Sequence, residues 1–319
     1  MRLAITGASG FLGKNFLLRA RKEWRIHAFY NSDASFPGFL QENGIRAEPV
    51  KCDLADPAQV KNAFNGLPAD FDACLYLAAN SDPRASFDDP AGDLRNNAAA
   101  LINLLEHYRG GRFIFLSSGS VYDGLSGPVS PDSRICPKLP YAISKLASEQ
   151  YARFYCEKKK TFADCVIVRF FGAFGPFEPK RKVYSKLVTT FALEGRREFD
   201  IYGDGTNLID AMYVDDAVDA LQRCVSKDAG SATVDLPGGE PLSIAKLVER
   251  AAETFGVVNP IVRTNGTAVE PIRFTADPRP FSQAYGFKRK VALEEGLRKL
   301  AAHLKLTAGK AGQPPSNTG

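Results

Sequence analysis

Short apolar runs alternate with amphipathic stretches along the first half of the chain. Residues 2–6 (RLAIT), 25–30 (RIHAFY), 47–52 (AEPVKC), 73–78 (ACLYLA) and 112–117 (RFIFLS) are rich in β-formers and are separated by enough chain for crossover helices. A sixth run, 164–171 (DCVIVRFF), follows a helix predicted from Tyr141 onward. Alternation of this kind predicts a parallel sheet covered by helices on both faces.

After residue 172 the pattern changes. Pro176 and Pro179 punctuate a loop, and 198–207 (EFDIYGDGTN) reads as a short strand entering a Gly-rich turn. Helices are predicted over 183–195, 213–226, 242–256 and 291–304, the second with acidic residues in its first turn, where the helix dipole favours them. The expectation is an α/β chain with a doubly wound parallel sheet over 1–171, rejoined by 208–237. A smaller C-terminal α/β region comprises 172–207 and 238–306, and the polar tail 307–319 is expected to be disordered. No internal repeat is present.

Composition narrows the function classes. The 319 residues can bury a sizeable core, and apolar and charged fractions of 45% and 24% are those of an ordinary globular protein. The net charge of +5 is mild and its Lys and Arg residues are spread along the chain, which argues against nucleic acid but leaves room for an anionic small molecule. No segment approaches the roughly 20 apolar residues of a membrane span, and MRLAITGASG runs directly into a strand without the apolar segment of a signal peptide. A cytoplasmic location without membrane partners is expected. Cys52, Cys74, Cys136, Cys156, Cys165 and Cys224 have neither CxxC nor framework spacing and read as reduced thiols. His27, His107 and His303 are scattered, so neither a metal centre nor a Ser-His-Asp triad is expected.

Chemistry enters at ITGASGFLG, where Gly7, Gly10 and Gly13 lie between the first strand and a helix. Small residues there permit close backbone approach to a pyrophosphate, and the helix N-terminus offers free N–H groups. The second strand ends at Asn31, where a dinucleotide fold usually carries an acid for the ribose. An amide can bond a ribose hydroxyl without repelling a 2′-phosphate, so NAD and NADP both remain open, and Asn31 reads equally as a turn residue. Asp53 follows the third strand, in place to meet an adenine or to sit as an exposed loop carboxylate. Tyr141 and Lys145 stand four apart in LPYAISKLASEQ, which puts both on one helical face.

These features fall in an order with LAA (77–79), NNAAALINLLE (96–106), FLSSGSVY (115–122), VRFFGAFGP (168–176), IYGDG (201–205) and YVDDAVDAL (213–221). The chain resembles the extended short-chain dehydrogenase/reductases, the nucleotide-sugar epimerases and dehydratases, over roughly residues 1–305. The resemblance implies a Rossmann-type fold, bound NAD or NADP, a substrate-binding C-terminal region, and a homodimer formed through helices over 94–107 and 141–158. It implies a reaction centre of Ser118, Tyr141 and Lys145. There the lysine ammonium and an oxidised nicotinamide both favour the tyrosine phenolate, which takes a hydroxyl proton as hydride leaves, while Ser118 hydrogen-bonds the reacting oxygen. Cofactor contacts carried over are the backbone of Phe11 and Leu12 at the pyrophosphate, Asp53 and Leu54 at the adenine, Leu77, Ala78 and Ala79 beneath the cofactor, and Asn97 and Phe171 at the nicotinamide half. For the apolar members core packing is an equal reading.

The departures narrow the reaction. Gly119 and Ser120 stand where the dehydratases carry an Asp-Glu pair, and Gly119 again where 3,5-epimerases carry a Cys. Gly172 replaces an Asn that binds the sugar nucleotide, and Ile209 replaces an Arg that grips the diphosphate. An apolar side chain cannot pair with phosphate. Lys180, Arg181, Lys182, Lys186 and Arg273 are candidates to replace it, against the alternative of a solvated face. The leading expectation is an NAD(P)-dependent enzyme acting at C4 of a nucleotide-linked sugar, a 4-epimerase before a 4-ketoreductase. A dehydrogenase or reductase of a non-nucleotide carbonyl compound, and a non-catalytic NAD(P)-sensing module, are the alternatives.

Overall fold

Seven runs align as the parallel sheet that the alternation predicts. They are β1 (Arg2–Thr6), β2 (Arg25–Tyr30), β3 (Ala47–Lys51), β4 (Phe71–Tyr76), β5 (Gly110–Ser118), β6 (Phe162–Phe170) and β7 (Ala232–Leu236), in the order β3-β2-β1-β4-β5-β6-β7. Every neighbouring pair is parallel. The computed structural model from which these elements are taken describes residues 1–264 and 271–311. The chain winds from β1 outward to β3 and then returns to β4 on the other side of β1, so the strand order reverses between β1 and β4. In open parallel sheets ligands bind outside the carboxyl ends at such a reversal.

Central strands are buried on both faces, which explains their nearly continuous apolar character. Ile114, Phe115, Val166, Ile167 and Val168 are all buried. The edge strand β7, absent from the sequence-based expectation, is short, half polar and paired only to β6, so it lacks that signature.

Three helices position the chemistry. α1 (Phe11–Leu18) follows β1. α2 (Pro90–Leu94) continues through a π-type turn, Arg95–Ala99, into a helix over Ala100–His107. α3 (Pro140–Phe154) begins with proline in its first turn, where the missing N–H does no harm, and continues through a second π-type turn, Tyr155–Lys159.

The amphipathicity of α3 is inverted. Its buried residues are Ala142, Ser144, Lys145, Ser148, Glu149 and Ala152, whereas Ile143, Tyr151 and Phe154 are 47%, 43% and 44% exposed. The polar inward face is held by hydrogen bonds. Glu149, 0% exposed, meets Arg169 of β6, 3% exposed. The Arg169 Nε and Nη2 donate to the two Glu149 oxygens at 3.1 and 2.9 Å, and Ser117 Oγ donates to Glu149 Oε1 at 2.6 Å. Arg169 Nη1 also donates to the Tyr122 hydroxyl at 3.0 Å, and that hydroxyl donates to Asp235 of β7 at 2.7 Å. Burial pushes the Asp235 carboxyl up to about 6.

This sheet and its helices form one unit, comprising Met1–Phe171, Val218–Pro237 and Phe274–Lys288; the second comprises Gly172–Ala217, Gly238–Arg273 and the chain from Arg289. Within the second unit, three short strand pairs join 173–174 to 212–213, 198–201 to 261–264 and 208–209 to 242–243. Its helices are Val183–Val188, extended by a π-type turn over Thr189–Leu193, then Ile244–Thr254 and Leu293–Ala311. An ion-pair chain runs through it. Glu240 takes Arg289 at 2.7 Å and also Arg250, and Arg250 Nε donates to Glu294 at 2.9 Å. The last helix corrects the expected start of the disordered tail at Thr307. Its residues through Ala311 are helical, Thr307 Oγ1 donates to the His303 carbonyl at 3.1 Å, and the first proline comes only at Pro314. The rest of that tail, 312–319, lies outside the described residues.

Two predictions follow from these buried charges. Arg169→Met removes the guanidinium fork from the Glu149 carboxylate, leaving Arg153 at 3.9 Å, and is expected to cost about 3–5 kcal/mol of stability; urea denaturation measures it, and Arg169→Met combined with Glu149→Leu is expected to recover part of the loss. The second concerns Glu178, whose carboxylate accepts from the Ser185 N–H at 3.0 Å and hydroxyl at 2.7 Å, while burial pushes its pKa up to about 7. The folded protein therefore holds this proton in a window where the unfolded chain has lost it. The stabilisation is complete below the ordinary carboxyl value of ~4.3 and is lost as pH rises through about 7. Glu178→Gln keeps both acceptor bonds and never ionises, so its Tm is expected to exceed the wild-type value increasingly from acidic to mildly alkaline pH in thermal melts.

Candidate active site

The carboxyl end of β1 turns sharply into α1 through the three glycines, and each has a distinct reason to lack a side chain. Gly7 has φ +63°, and a Cβ there would lie 2.9 Å from the Ala78 backbone nitrogen. At Gly13 a Cβ would lie 2.4 Å from the Gly7 carbonyl oxygen, so this glycine lets the helix pack on the strand. Gly10 is exposed, meets only the Gly7 carbonyl, and begins a helix that no side chain caps. A bare helix N-terminus with its N–H groups beside an open glycine fits a pyrophosphate. Phe11 and Leu12 supply the first of those groups.

Thr6, which the sequence reading passed over, locks this turn to β4. Its Oγ1 accepts from the Leu77 and Ala78 N–H groups, both at 3.1 Å. Leu77, Ala78 and Ala79 lie just beyond β4, which ends at Tyr76, and Ala79 is exposed. Asn31 is exposed at the end of β2. Two residues on, Asp33 accepts from Lys14 Nζ at 2.8 Å and from the Ser35 hydroxyl at 2.6 Å. Asp53 is half-buried and accepts from the Ala55 N–H at 2.9 Å, while the buried Leu54 offers its carbonyl to Asn103 at 2.9 Å.

β5 and α3 bring the Ser118 side chain within reach of the Tyr141 phenol. Ser118 Oγ also meets Ser120 Oγ at 3.1 Å and accepts from the Ser120 N–H at 3.1 Å. Burial pushes the Tyr141 pKa up, the Ser118 hydrogen bond pulls it down, and the Asp93 charge adds to the rise. Lys145 is 3% exposed, donates to the Leu116 carbonyl at 2.5 Å and lies 4.2 Å over the Phe115 ring. Burial pulls its pKa down to about 7, opposed by the charges of Glu149 and Asp93. The tyrosine thus sits above its ordinary value before any nicotinamide charge acts on it. Desolvation acts on both groups, and the ammonium is directed at a backbone carbonyl.

Asn97 sits in the π-type turn after α2, 3% exposed. Its Nδ2 donates to Asp93 and to Ser144 Oγ, both at 3.0 Å, and its Oδ1 accepts from the Asn80 N–H at 2.8 Å. It thereby ties the end of β4 to the first turn of α3. Asp93, Ser144 and Asn80 were not singled out from the sequence. The available signal was Asp93 one helical turn before Asn97. Phe171 packs against Tyr122 and Phe274, and a Cβ on Gly119 would come 3.1 Å from its ring.

The remaining sequence candidates belong to the second unit. Gly172 has φ +143°, a conformation open to glycine, and its carbonyl accepts from the Met212 N–H at 3.1 Å. Ile209 pairs with Leu242 across a two-stranded ladder. Lys186 is exposed, its Nζ 5.9 Å over the Tyr202 ring, and Arg273 is exposed with its charge acting on Asp204. Lys180 and Arg181 are exposed, and Lys182 acts on Glu178. Among the described residues no grouping of His, Cys, Asp and Glu could hold a metal ion, and no helix is long and apolar enough to cross a membrane.

Known proteins are similar to the chain over nearly its whole length. The UDP-glucose 4-epimerase of Mycolicibacterium smegmatis is 28% identical over 94% of this chain and 97% of its own. The dTDP-glucose 4,6-dehydratase of Streptomyces niveus is 26% identical over 93% and 90% respectively. The structure of MoeE5 in complex with UDP-glucose and NAD superposes with a TM-score of 0.82 at 27% identity, covering 97% of this chain and all of that one. The match to the NAD dependent epimerase/dehydratase family extends over residues 3–235, from the first strand of the sheet to its last, and the chain belongs to that family.

Proposed function

We propose that the protein is an NAD(P)-dependent nucleotide-sugar 4-epimerase. The observation that carries the reading is Ser118 within reach of the Tyr141 phenol, one helical turn from the buried Lys145, in a unit whose glycine turn is bare. The dinucleotide would be held by the backbone of Gly7, Gly10, Phe11, Leu12 and Gly13, by Asn31 at the ribose, by Asp53 and Leu54 at the adenine, and by Leu77, Ala78 and Ala79 beneath it. Asn97 and Phe171 border the nicotinamide half in this reading. When bound, such a cofactor supplies the acceptor and donor of hydride at the sugar carbon.

The chain's own residues handle the proton. Tyr141 accepts it from the C4 hydroxyl and returns it after the keto-sugar has turned. Ser118 donates a hydrogen bond to the same oxygen, steadied by its contact with Ser120. Lys145, as an ammonium, would hold the nicotinamide ribose and join the charge of the oxidised nicotinamide in favouring the phenolate. Gly119 and Ser120 offer no acid or base for elimination, and Phe171 leaves little room for a larger group at 119. That supports epimerisation over 4,6-dehydration.

Lys186 and Arg273 are our candidates for the substrate diphosphate, with Gly172 at the sugar, since Ile209 cannot pair with phosphate. Ile209 also favours the second reading, oxidoreduction of a carbonyl compound without a nucleotide. The buried thiols and the family's chemistry support a cytoplasmic enzyme. The inverted α3, together with Leu94 at 51% exposed, supports a homodimer in which these apolar side chains are covered by a second copy.

Purified protein is expected to interconvert C4-epimeric nucleotide sugars without added reductant, and Tyr141→Phe to lower that rate by about 10²–10⁴-fold. Stoichiometric NAD(P)H consumption with a keto-sugar would replace the epimerase by a reductase; failure of UDP, dTDP, GDP and CDP alike to raise the Tm in the presence of cofactor would favour the non-nucleotide substrate. Light scattering is expected to give a dimer at micromolar concentration and a monomer for Ile143→Glu combined with Tyr151→Glu.

A further inference from the structure

We propose that Asp93 is a positioning residue of the reaction centre, a buried carboxylate that, through Ser144, fixes the stretch of α3 between Tyr141 and Lys145 and places its charge to act on both. Asp93 is 1% exposed. Its Oδ2 accepts from Ser144 Oγ at 2.6 Å, and its Oδ1 accepts from Asn97 Nδ2 at 3.0 Å and Asn80 Nδ2 at 3.2 Å. Ser144 lies between Tyr141 and Lys145 in the sequence and faces inward. Its hydroxyl also bonds the Tyr141 carbonyl at 3.0 Å. One carboxylate thus meets the turn that carries the tyrosine, the π-type turn that carries Asn97, and the end of β4.

Three neutral donors fix this anion. Its charge acts on Tyr141, whose ionisation it opposes, and on Lys145, whose protonation it favours. The other charge on Lys145 is Glu149, one turn further along α3 and itself engaged by Arg169. From β5 the lysine meets only the Phe115 ring and the Leu116 carbonyl, which are uncharged. Desolvation against these two carboxylates leaves Lys145 at about 7, so removing either carboxylate is expected to lower it further.

The proposal rests on the reading of Ser118, Tyr141 and Lys145 as the reaction centre, and its test does not require turnover. Full-length protein carrying lysine labelled with ¹³C at Cε is titrated by NMR between about pH 5 and pH 10, the Lys145 signal being identified by its loss in Lys145→Met. Asp93→Asn retains the shape and is expected to move the Lys145 midpoint down by about one pH unit. Ser144→Ala removes the hydroxyl that meets Asp93, Asn97 and the Tyr141 carbonyl but keeps the Asp93 charge, and is expected to weaken NADH binding, read by fluorescence, with little change in that midpoint. An unmoved midpoint in Asp93→Asn, or an equal shift in Ser144→Ala, overturns the proposal. If Asp93→Asn does not fold, Asp93→Ser, whose hydroxyl can still meet Asn97, takes its place. Were the midpoint to move as expected while no sugar reacted, Asp93 would keep its role and the epimerase reading alone would fail.

Discussion

The placement of Tyr141 and Lys145 beside Ser118 depends on one buried ion pair. Glu149 and Arg169 are almost wholly removed from water, and neither could remain charged there alone. The guanidinium fork matches both carboxylate oxygens, so each charge is met by the geometry that stabilises it best. The consequence is positional. Glu149 lies one turn beyond Lys145 and also takes the hydroxyl of Ser117, the neighbour of Ser118. Fixing Glu149 on β6 and on the end of β5 therefore fixes where the helix presents Tyr141 relative to Ser118. A slip of α3 along the sheet would break the fork and the Ser117 bond together.

The same constraint accounts for the inverted character of α3. A helix that must offer a tyrosine, a lysine and a glutamate inward cannot bury an apolar stripe there. Its polar face is instead satisfied group by group: Ser144 on Asp93, Ser148 on the Ser144 carbonyl, Lys145 on the Leu116 carbonyl and Glu149 on Arg169. Leaving any of these unpaired would cost about 1–3 kcal/mol, more for the charges. The apolar side chains displaced from that face lie on the other side.

Much of this was legible in the chain because the dinucleotide turn and the sheet obey local rules. Three glycines at fixed spacing report a positive φ, an open approach and a close helix contact, each visible at Gly7, Gly10 and Gly13. Long apolar runs such as VIVRF report strands buried on both faces. The edge strand β7 escaped because an edge needs no such run. Thr6, Asn80, Asp93 and Ser144 escaped for a different reason. Their roles arise from hydrogen bonds between residues far apart in the chain, such as Asp93 to Ser144, and no local pattern distinguishes them from ordinary polar residues. The substrate side was the least legible, since Gly172 is dictated by its backbone conformation and the exposed Lys186 and Arg273 read as solvated charge.

The direction of the two pKa shifts changes how the couple should be understood. Burial disfavours charge on both groups, raising the tyrosine and lowering the lysine from 10.5 to about 7. The lysine shift corresponds to about 5 kcal/mol against the ammonium relative to water. A tyrosine above its ordinary value is almost wholly phenol at neutral pH, so Lys145 alone does not prepare it to accept a proton. The phenolate requires further positive charge or a hydrogen bond at the moment of proton transfer. Ser118 is in place to supply the second, and the oxidised form of a nicotinamide cofactor carries the first. Base strength at Tyr141 would then depend on the redox state of the bound cofactor. Phenolate would be favoured when hydride is to be accepted and phenol when it is to be returned, which is the alternation that epimerisation through a keto-sugar demands.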